Sequence, residues 1–217
     1  MTTERYTSYP RPVLWLVPEG EVASSAAAHA AGDLAATPPE TTIAPFYLST
    51  IPVTNRPLQA WQPTFTRSPL SPDADGPALG VSYEEALGYC AWYSRVARKA
   101  IRLPTELEWE HACRAGRPEL WPWGADTARA EEEVWHRGNS SELAPPLAAK
   151  RSNPFGLHAM HGGVWEWVGA SAGRPPVLRG GSWRTPIEEI AAGGRRLAAP
   201  GARPADAGFR IAKSLRG

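Results

Sequence analysis

The residues best suited to metal chemistry are five histidines and two cysteines. His158 and His161 stand three positions apart in "LHAMHGG", so both imidazoles could face one side of a turn and share a metal ion. No third ligand lies near them in the sequence. The pair alone therefore predicts no metal centre, and His29 carries no chemistry that we can assign.

Cys90 and Cys113 occupy apolar positions in two predicted helices. Two cysteines do not make a disulfide framework, and we interpret them as buried thiols. A single bridge pinning the two helices is the alternative, and a catalytic pair is the least favoured interpretation. Ser182 in "GGSW" has neither a G-x-S-x-G motif nor a neighbouring histidine, so it is interpreted as a turn serine. We predict no catalytic residue.

The composition limits the class of protein and its partners. Of the 217 residues, 42% are hydrophobic and 21% charged, and the net charge is +1, which is typical of a soluble globular protein. This balance argues against nucleic acid as a partner. The apolar run 13–17 is too short to span a bilayer, and the N-terminus lacks a secretory pattern, so we expect no membrane partner and a cytoplasmic location.

Ten tryptophans, 20 glycines and 23 prolines predict a core of indoles held by irregular loops. Each buried indole N–H needs an acceptor, and loop carbonyls supply one.

The N-terminal third predicts strands and loops. "PVLWLVP", around residues 13–17, is interpreted as an edge strand, and residues 21–42 as a loop or a short exposed helix. Residues 43–61 read as a strand followed by the beginning of a helix, with Thr54 at the N-cap and Pro57 in the first turn.

Two helices have clear start signals. Ser82 with Glu85, and Thr105 with Glu108, form capping boxes before apolar residues at helical spacing, and Gly116 ends the second helix. We interpret Glu106, Glu108 and Glu110 as a solvated face. After Gly116 we expect short strands and long ordered loops, with a helical turn at 131–135.

These segments resemble the formylglycine-generating enzyme/sulfatase-modifying factor family over about residues 43–213. The resemblance implies a single domain, 1–217, in which 1–42 adds a strand and a loop. It implies an α+β, C-type-lectin-like fold: two helices with small antiparallel sheets and long ordered loops. The motifs that carry it, in chain order, are "FYLSTIPVTN", "ALGVSYEEALGYCAW", "RLPTELEWEHACRAG", "WPWG", "NPFGLHAMHGGVWEW", "VLRGGSW" and "GFRIAK".

Within this fold, "RGGSW" and "GFRIA" are expected to be architectural. The two glycines would let the backbone pass close under Trp183. Arg179 is predicted to form a structural ion pair or to clamp backbone carbonyls, Phe209 to be buried, and Arg210 to be exposed or paired.

The resemblance also implies which chemistry this chain lacks. Formylglycine-generating enzymes oxidise a substrate cysteine with copper held by two cysteines shortly after "RGGS". Here that segment is "WRTPIEEIAAGG", and no cysteine follows Cys113. Carboxylates cannot replace the thiolates that select Cu(I). The iron-dependent sulfoxide synthases of the family take ligands from an extra helical domain whose pattern is missing here.

Calcium is the one cofactor that the resemblance leaves open. Related proteins bind it through a G-N-V-W-E loop, but this chain has Gly163 in place of the asparagine, and Ala159 where an acid or amide is usual. Asn153 and Glu166 are the remaining candidate ligands. Because calcium takes six to eight oxygens, we predict a weakened or absent structural calcium site.

Recognition is then expected at the C-terminal segment, which we define as residues 183–207. The favoured hypothesis is a non-catalytic module that binds an unidentified protein or small molecule, including a variable protein diversified by a retroelement. One alternative is a divergent metal-dependent oxidoreductase of the non-haem iron type. Another is a structural subunit that pairs through the strand at 13–17. The candidate binding residues are Trp183, Arg184, Glu188, Glu189, Arg195, Arg196 and Arg203.

Overall fold

The structure is a computed structural model that describes residues 12–23, 40–119, 121, 123–124, 127–170 and 174–215. The α-helices in these ranges are α1 Asn55–Trp61, α2 Tyr83–Ala97, α3 Glu106–Arg114 and α4 Thr127–Glu133, and a 3-10 helix spans Ile187–Glu189. The strands are β1 Leu14–Val17, β2 Gly20–Ala23, β3 Glu40–Ile43, β4 Phe46–Ser49, β5 Ile101–Arg102, β6 Trp165–Val168, β7 Val177–Arg179, β8 Arg195–Leu197, β9 Ala207–Phe209 and β10 Ala212–Ser214.

The strands form three small sheets. The first has the order β1-β4-β10-β5 and is antiparallel throughout, and the second is the β2-β3 pair. The third has the order β8-β7-β6-β9. Its β6 and β9 are parallel, unlike the predicted antiparallel pairing: after β8, which runs in the same direction as β6, the chain crosses to the far side of β6 and enters β9 in that direction again. The predicted α+β architecture is otherwise observed.

The capping boxes begin the two longest helices as predicted. The Ser82 hydroxyl accepts from the Glu85 N–H at 3.2 Å, and the Ser82 N–H donates to the Glu85 carboxylate at 2.9 Å. Thr105 and Glu108 repeat this arrangement at α3. Thr54 occupies the N-cap of α1 but makes no side-chain cap. In the part of the chain that is described, no helix is both long and apolar enough to cross a membrane.

Several expected boundaries were wrong. The segment 21–42, predicted as a loop or a short exposed helix, has a strand at each end, and β2 pairs with β3 from Gly20 opposite Ile43 to Ala23 opposite Glu40. Its centre, with His29, lies outside the described residues. The resemblance implied two α-helices, and the described ranges contain four: the beginning of α1 after Thr54 was predicted, and α4 begins before the predicted helical turn at 131–135. β1 is an edge strand as expected.

Buried indoles organise the core, as the composition predicted. Trp167 of β6 is buried in one cluster with Tyr89 and Cys90 of α2, and its N–H donates to the Val81 carbonyl at 2.8 Å. Trp109 of α3 packs with Phe46 and Leu48 of β4. Its N–H donates to the Glu166 carboxylate at 2.8 Å, so a side chain serves here where a loop carbonyl was expected.

Candidate functional site

Arg179, at the end of β7, fastens the C-terminal segment to the rest of the fold. Its guanidinium is fully buried and donates to the carbonyls of Ala192, Gly193 and Gly194 at 2.9–3.1 Å. It also donates to the Glu110 carboxylate at 2.5 Å. Both predicted roles, ion pair and carbonyl clamp, are therefore confirmed. One side chain ties residues 192–194 to α3.

The glycine pair after Arg179 allows close packing, but not under Trp183 as predicted. Gly180 has φ +95°, and a Cβ there would lie 2.9 Å from the Trp109 ring. Gly181 has φ +77°, and its Cβ would meet Ile190 at 2.9 Å. The pair therefore lets the turn after β7 fit between α3 and the segment that follows the 3-10 helix.

The predicted solvated face of α3 was wrong for Glu110. Residues two apart on a helix lie about 200° apart around its axis, so Glu108 cannot share a face with Glu106 and Glu110. Glu110 is buried and pairs with Arg179 and Arg114. Glu108 faces Arg102 at 2.6 Å, while the Glu106 carboxylate lies 2.5 Å from Arg195.

Trp183 was expected in the exposed binding segment, but the structure places it in the core. It is fully buried with Leu79 and Val164, and its indole N–H donates to the Glu142 carbonyl at 3.2 Å. A tryptophan beside a glycine turn packs inward here because loops on both sides cover it. It cannot contact a ligand without local unfolding.

The other predicted binding residues divide into two groups. Arg184, Glu188 and Glu189 are exposed before and within the 3-10 helix. Three arginines are paired with carboxylates of the scaffold or of the segment itself: Arg195 with Glu106, Arg196 with Asp206, and Arg203 with Glu85.

Ser182 is a buried turn residue, as predicted. Its hydroxyl donates to the Asp206 carboxylate at 2.8 Å and accepts from the Arg184 N–H at 3.2 Å. The two ends of the C-terminal segment are therefore joined.

The two calcium candidates are engaged elsewhere. The Asn153 side-chain oxygen accepts from the Phe155 and Leu157 N–H groups at 3.0 and 3.1 Å. Both Glu166 oxygens accept from the buried Arg210 guanidinium at 2.6–2.7 Å. A calcium ion at Glu166 would lie against this cation, so the donor set does not fit calcium. That the calcium site is weakened or absent stays a prediction.

The cysteines are two separate buried thiols, as predicted. Cys90 lies in the cluster around Tyr89, and burial raises its pKa to about 12. Cys113 lies in the cluster around Trp109, and burial raises its pKa as well. Both cysteines are therefore protonated thiols at physiological pH, not reactive thiolates. Nowhere in the described ranges do three His, Cys, Asp or Glu side chains form a metal-ligand group.

The two histidines of "LHAMHGG" have different surroundings. The His158 ring contacts the Lys150 carbonyl at 3.1 Å. His161 is buried, 3.4 Å from the Cys113 sulfur and edge-on to Trp123. Burial, with the nearby positive charges of Arg114, Arg117 and Arg179, lowers the pKa of His161 to about 3. His161 is therefore neutral at physiological pH.

This low pKa predicts acid sensitivity. His161 protonates near pH 6.5 in the unfolded chain but only near pH 3 in the folded one, so its contribution to stability is present above pH 6.5 and is lost as the pH falls towards 3. We expect the free energy of unfolding to fall by about 2 kcal/mol between pH 7 and pH 5 from this cause. Urea unfolding of the wild type and His161→Gln measures it. The slope of stability against pH should flatten in the variant, and equal slopes would contradict the assignment.

Two cavities were not foreseen from the sequence. One, of about 340 Å³, lies between α4 and the loop 151–161, with three arginines in its lining. The other, of about 410 Å³, lies beside Arg203 and Glu85. The only sequence pattern that could have pointed to the first cavity is the spacing of Arg129 and Glu133, four apart on α4. The other described lining residues come from segments that are distant in the sequence.

Comparisons with known proteins agree with this architecture. The Sulfatase-modifying factor enzyme 1-like domain matches residues 2–215. The inactive C-alpha-formylglycine-generating enzyme 2 of Mus musculus is 36% identical over 147 residues, covering 57% of this chain and 46% of the mouse protein. The chain thus spans less than half of that relative's length.

Solved structures show the same fold at low identity. PvdO from Pseudomonas aeruginosa superposes with a TM-score of 0.76 at 21% identity, covering 96% of this chain and 100% of that one. Treponema denticola variable protein 1 has a TM-score of 0.75 at 20% identity, covering 93% and 94%. They confirm the predicted C-type-lectin-like, sulfatase-modifying-factor fold. With the match over residues 2–215, the chain belongs to the family of sulfatase-modifying factor enzyme 1-like domains.

Proposed function

We propose that this chain is a non-catalytic binding module that recognises a protein or a small molecule through its C-terminal segment. One observation carries the proposal. The segment that follows "RGGS" is clamped to α3 by Arg179 and presents Arg184, Glu188 and Glu189 to solvent. A rigid support with outward charged side chains favours recognition, because little ordering remains to be done on binding.

The state of the thiols supports a role without copper chemistry. Copper oxidases of this family would need two thiolates close together after "RGGS". Here no cysteine follows Cys113, and both thiols are buried in different clusters with raised pKa values. The likeness to a mouse protein named as inactive agrees with this proposal but does not carry it.

The ion pairs of the segment favour one fixed surface over a diversified one. Arg195 donates two hydrogen bonds to Glu106, and Arg203 donates two to Glu85. Arg196 lies over the Trp165 ring at 5.1 Å while pairing with Asp206. Randomising these positions would break contacts that hold the segment. Among the candidate binding residues, the positions open to variation are therefore Arg184, Glu188 and Glu189.

Site-specific photo-crosslinking tests the binding proposal. A photoreactive residue is placed at Glu188, and in a matched control at Arg95, which is exposed in the last turn of α2. After exposure to an extract of the cells that make the protein, the intact mass of the product registers a protein or a small molecule equally. We expect a discrete adduct from position 188 that excess unlabelled protein competes away. The same adducts from both positions, or none from 188, would overturn the proposal.

An activity assay tests the non-catalytic part separately. The protein is incubated with copper, oxygen and a cysteine-containing peptide, and the mass of the peptide is followed. We expect no change, because neither thiol can present a thiolate pair to the metal. Conversion of the peptide cysteine, abolished by Cys113→Ala, would establish an oxidase instead.

A further inference from the structure

Large apolar side chains are exposed together along β1, at the edge of the first sheet. Val13, Trp15 and Leu16 are 61%, 55% and 45% exposed. Within the described ranges, β1 pairs with β4 alone and forms the end of its sheet. An edge strand that combines exposed apolar side chains with unpaired backbone groups favours pairing with a further strand.

The backbone groups of β1 point alternately towards β4 and away from it. The Thr50 N–H donates to the Val13 carbonyl at 2.9 Å, and the next residue, Leu14, lies opposite Ser49. In an antiparallel ladder, every second residue turns its N–H and C=O groups towards the neighbouring strand. Leu14 and Leu16 therefore turn these groups outward, where they make no backbone hydrogen bond to any described residue.

The sequence of this edge reads the same in both directions. Residues 12–18 are "PVLWLVP", which is symmetric about Trp15. When two copies of a strand pair antiparallel about a two-fold axis, each position meets the position equally far beyond the axis. With the axis at Trp15, every residue of this stretch meets a residue of its own type. Trp15 meets Trp15, and Leu14 meets Leu16.

The residues that flank the palindrome have opposite charges. Arg11 precedes Trp15 by four positions, and Glu19, which is exposed, follows it by four. Arg11 lies outside the described residues, and its separation from Trp15 comes from the sequence alone. The two-fold register brings position 11 of one copy to position 19 of the other, so unlike charges meet at both ends. Parallel pairing in register would bring like charges together, which is unfavourable.

We propose that two copies of this chain pair antiparallel along β1, about a two-fold axis at Trp15. Leu14 of each copy exchanges two backbone hydrogen bonds with Leu16 of the other. Trp15 faces Trp15 of the second copy in a non-hydrogen-bonded pair, the kind of pair in which opposite side chains lie closest. The two four-stranded sheets then form one continuous sheet across the axis.

Two prolines limit this ladder to a short, closed pair. Pro12 and Pro18 occupy the next outward-facing positions beyond Leu14 and Leu16, and a proline has no N–H to donate. Because each copy uses the same edge, no third copy is added there. The small contact area predicts a weak dimer that depends on concentration. This inference does not rest on the proposed role of the C-terminal segment.

Analytical ultracentrifugation of the full chain tests the association. Between about 1 µM and about 1 mM protein, we expect the mass to rise from 23.5 kDa towards twice that value. Trp15→Lys places two ammonium groups face to face and should weaken the dimer at least about tenfold. Leu197→Lys is the matched control, because Leu197 is exposed on another edge strand, β8. A monomeric wild type, or equal dimerisation of the two variants, would overturn the proposal.

A disulfide tests the register without relying on a loss of binding. Trp15→Cys places two thiols at the axis, where opposite Cβ atoms lie near the separation that a disulfide needs. Leu197→Cys is the control, and Cys90 and Cys113 are buried. At a concentration where the wild type dimerises, mild oxidation should link Trp15→Cys at least about tenfold faster, because pairing raises the effective thiol concentration. Equal rates on non-reducing gels would contradict the two-fold axis at Trp15.

Discussion

Replacing Arg179 with methionine is expected to lower the free energy of unfolding by about 3–5 kcal/mol. The guanidinium is fully buried and contacts Glu110 and three backbone carbonyls. Methionine fills much of the same volume but leaves those acceptors without a donor, and a buried acceptor that loses its partner keeps its full desolvation cost. Among the described residues, Glu110 then keeps Arg114 alone as its cationic partner.

Chemical denaturation measures this loss, and hydrogen exchange measures its local effect. Residues 192–194 should exchange faster, because the clamp that holds them is gone. Arg196→Met is the matched control: Arg196 lies on the adjacent strand β8, and its partly exposed pair with Asp206 should be worth less than about 1 kcal/mol. Similar losses in the two variants would show that Arg179 is not the anchor of the segment.

Gly162→Ala is expected to destabilise the protein by about 3–5 kcal/mol, at the limit of what one methyl group can do. A Cβ at Gly162 would lie 1.9 Å from the Trp135 carbonyl oxygen, which belongs to the backbone and cannot rotate away. The backbone at Gly162 is also left-handed, with φ +69°. The substitution therefore adds a steric displacement to a conformational cost.

Gly116→Ala isolates the conformational part. Gly116 is also left-handed, with φ +80°, but a Cβ there would meet no atom within 4 Å. It should cost about 1–2 kcal/mol. Thermal unfolding of both variants gives the comparison. A loss at Gly162 no greater than that at Gly116 would mean that the contact between Trp135 and Gly162 is easily displaced.

Local signals in the sequence predicted the elements that they directly determine. Ser82 and Thr105 mark the starts of α2 and α3 because a capping box satisfies backbone groups within four residues. The β2-β3 pair gave no such signal. Its strands, "GEVA" and "ETTI", pair across 16 intervening residues and are too short to show an alternating pattern.

The candidate site was harder to predict because it depends on which side of an element faces the core. Trp183 was placed at the surface by its position in the chain, whereas Leu79 and Val164 bury it from two distant segments. Glu110 looked solvated because its partner Arg179 lies 69 residues away. Arg184, Glu188 and Glu189 are exposed, as expected, because no distant segment among the described residues covers them.

The position of β10 has a consequence for biosynthesis. This strand, Ala212–Ser214, is inserted between β4 and β5, whose residues are translated more than 100 positions earlier. While the ribosome is still making the preceding residues, β4 and β5 lack their shared neighbour and expose unpaired backbone groups. The first sheet can therefore be completed only after translation of Ser214. Its completion is a pairing between residues far apart in the sequence, and such pairing is slow.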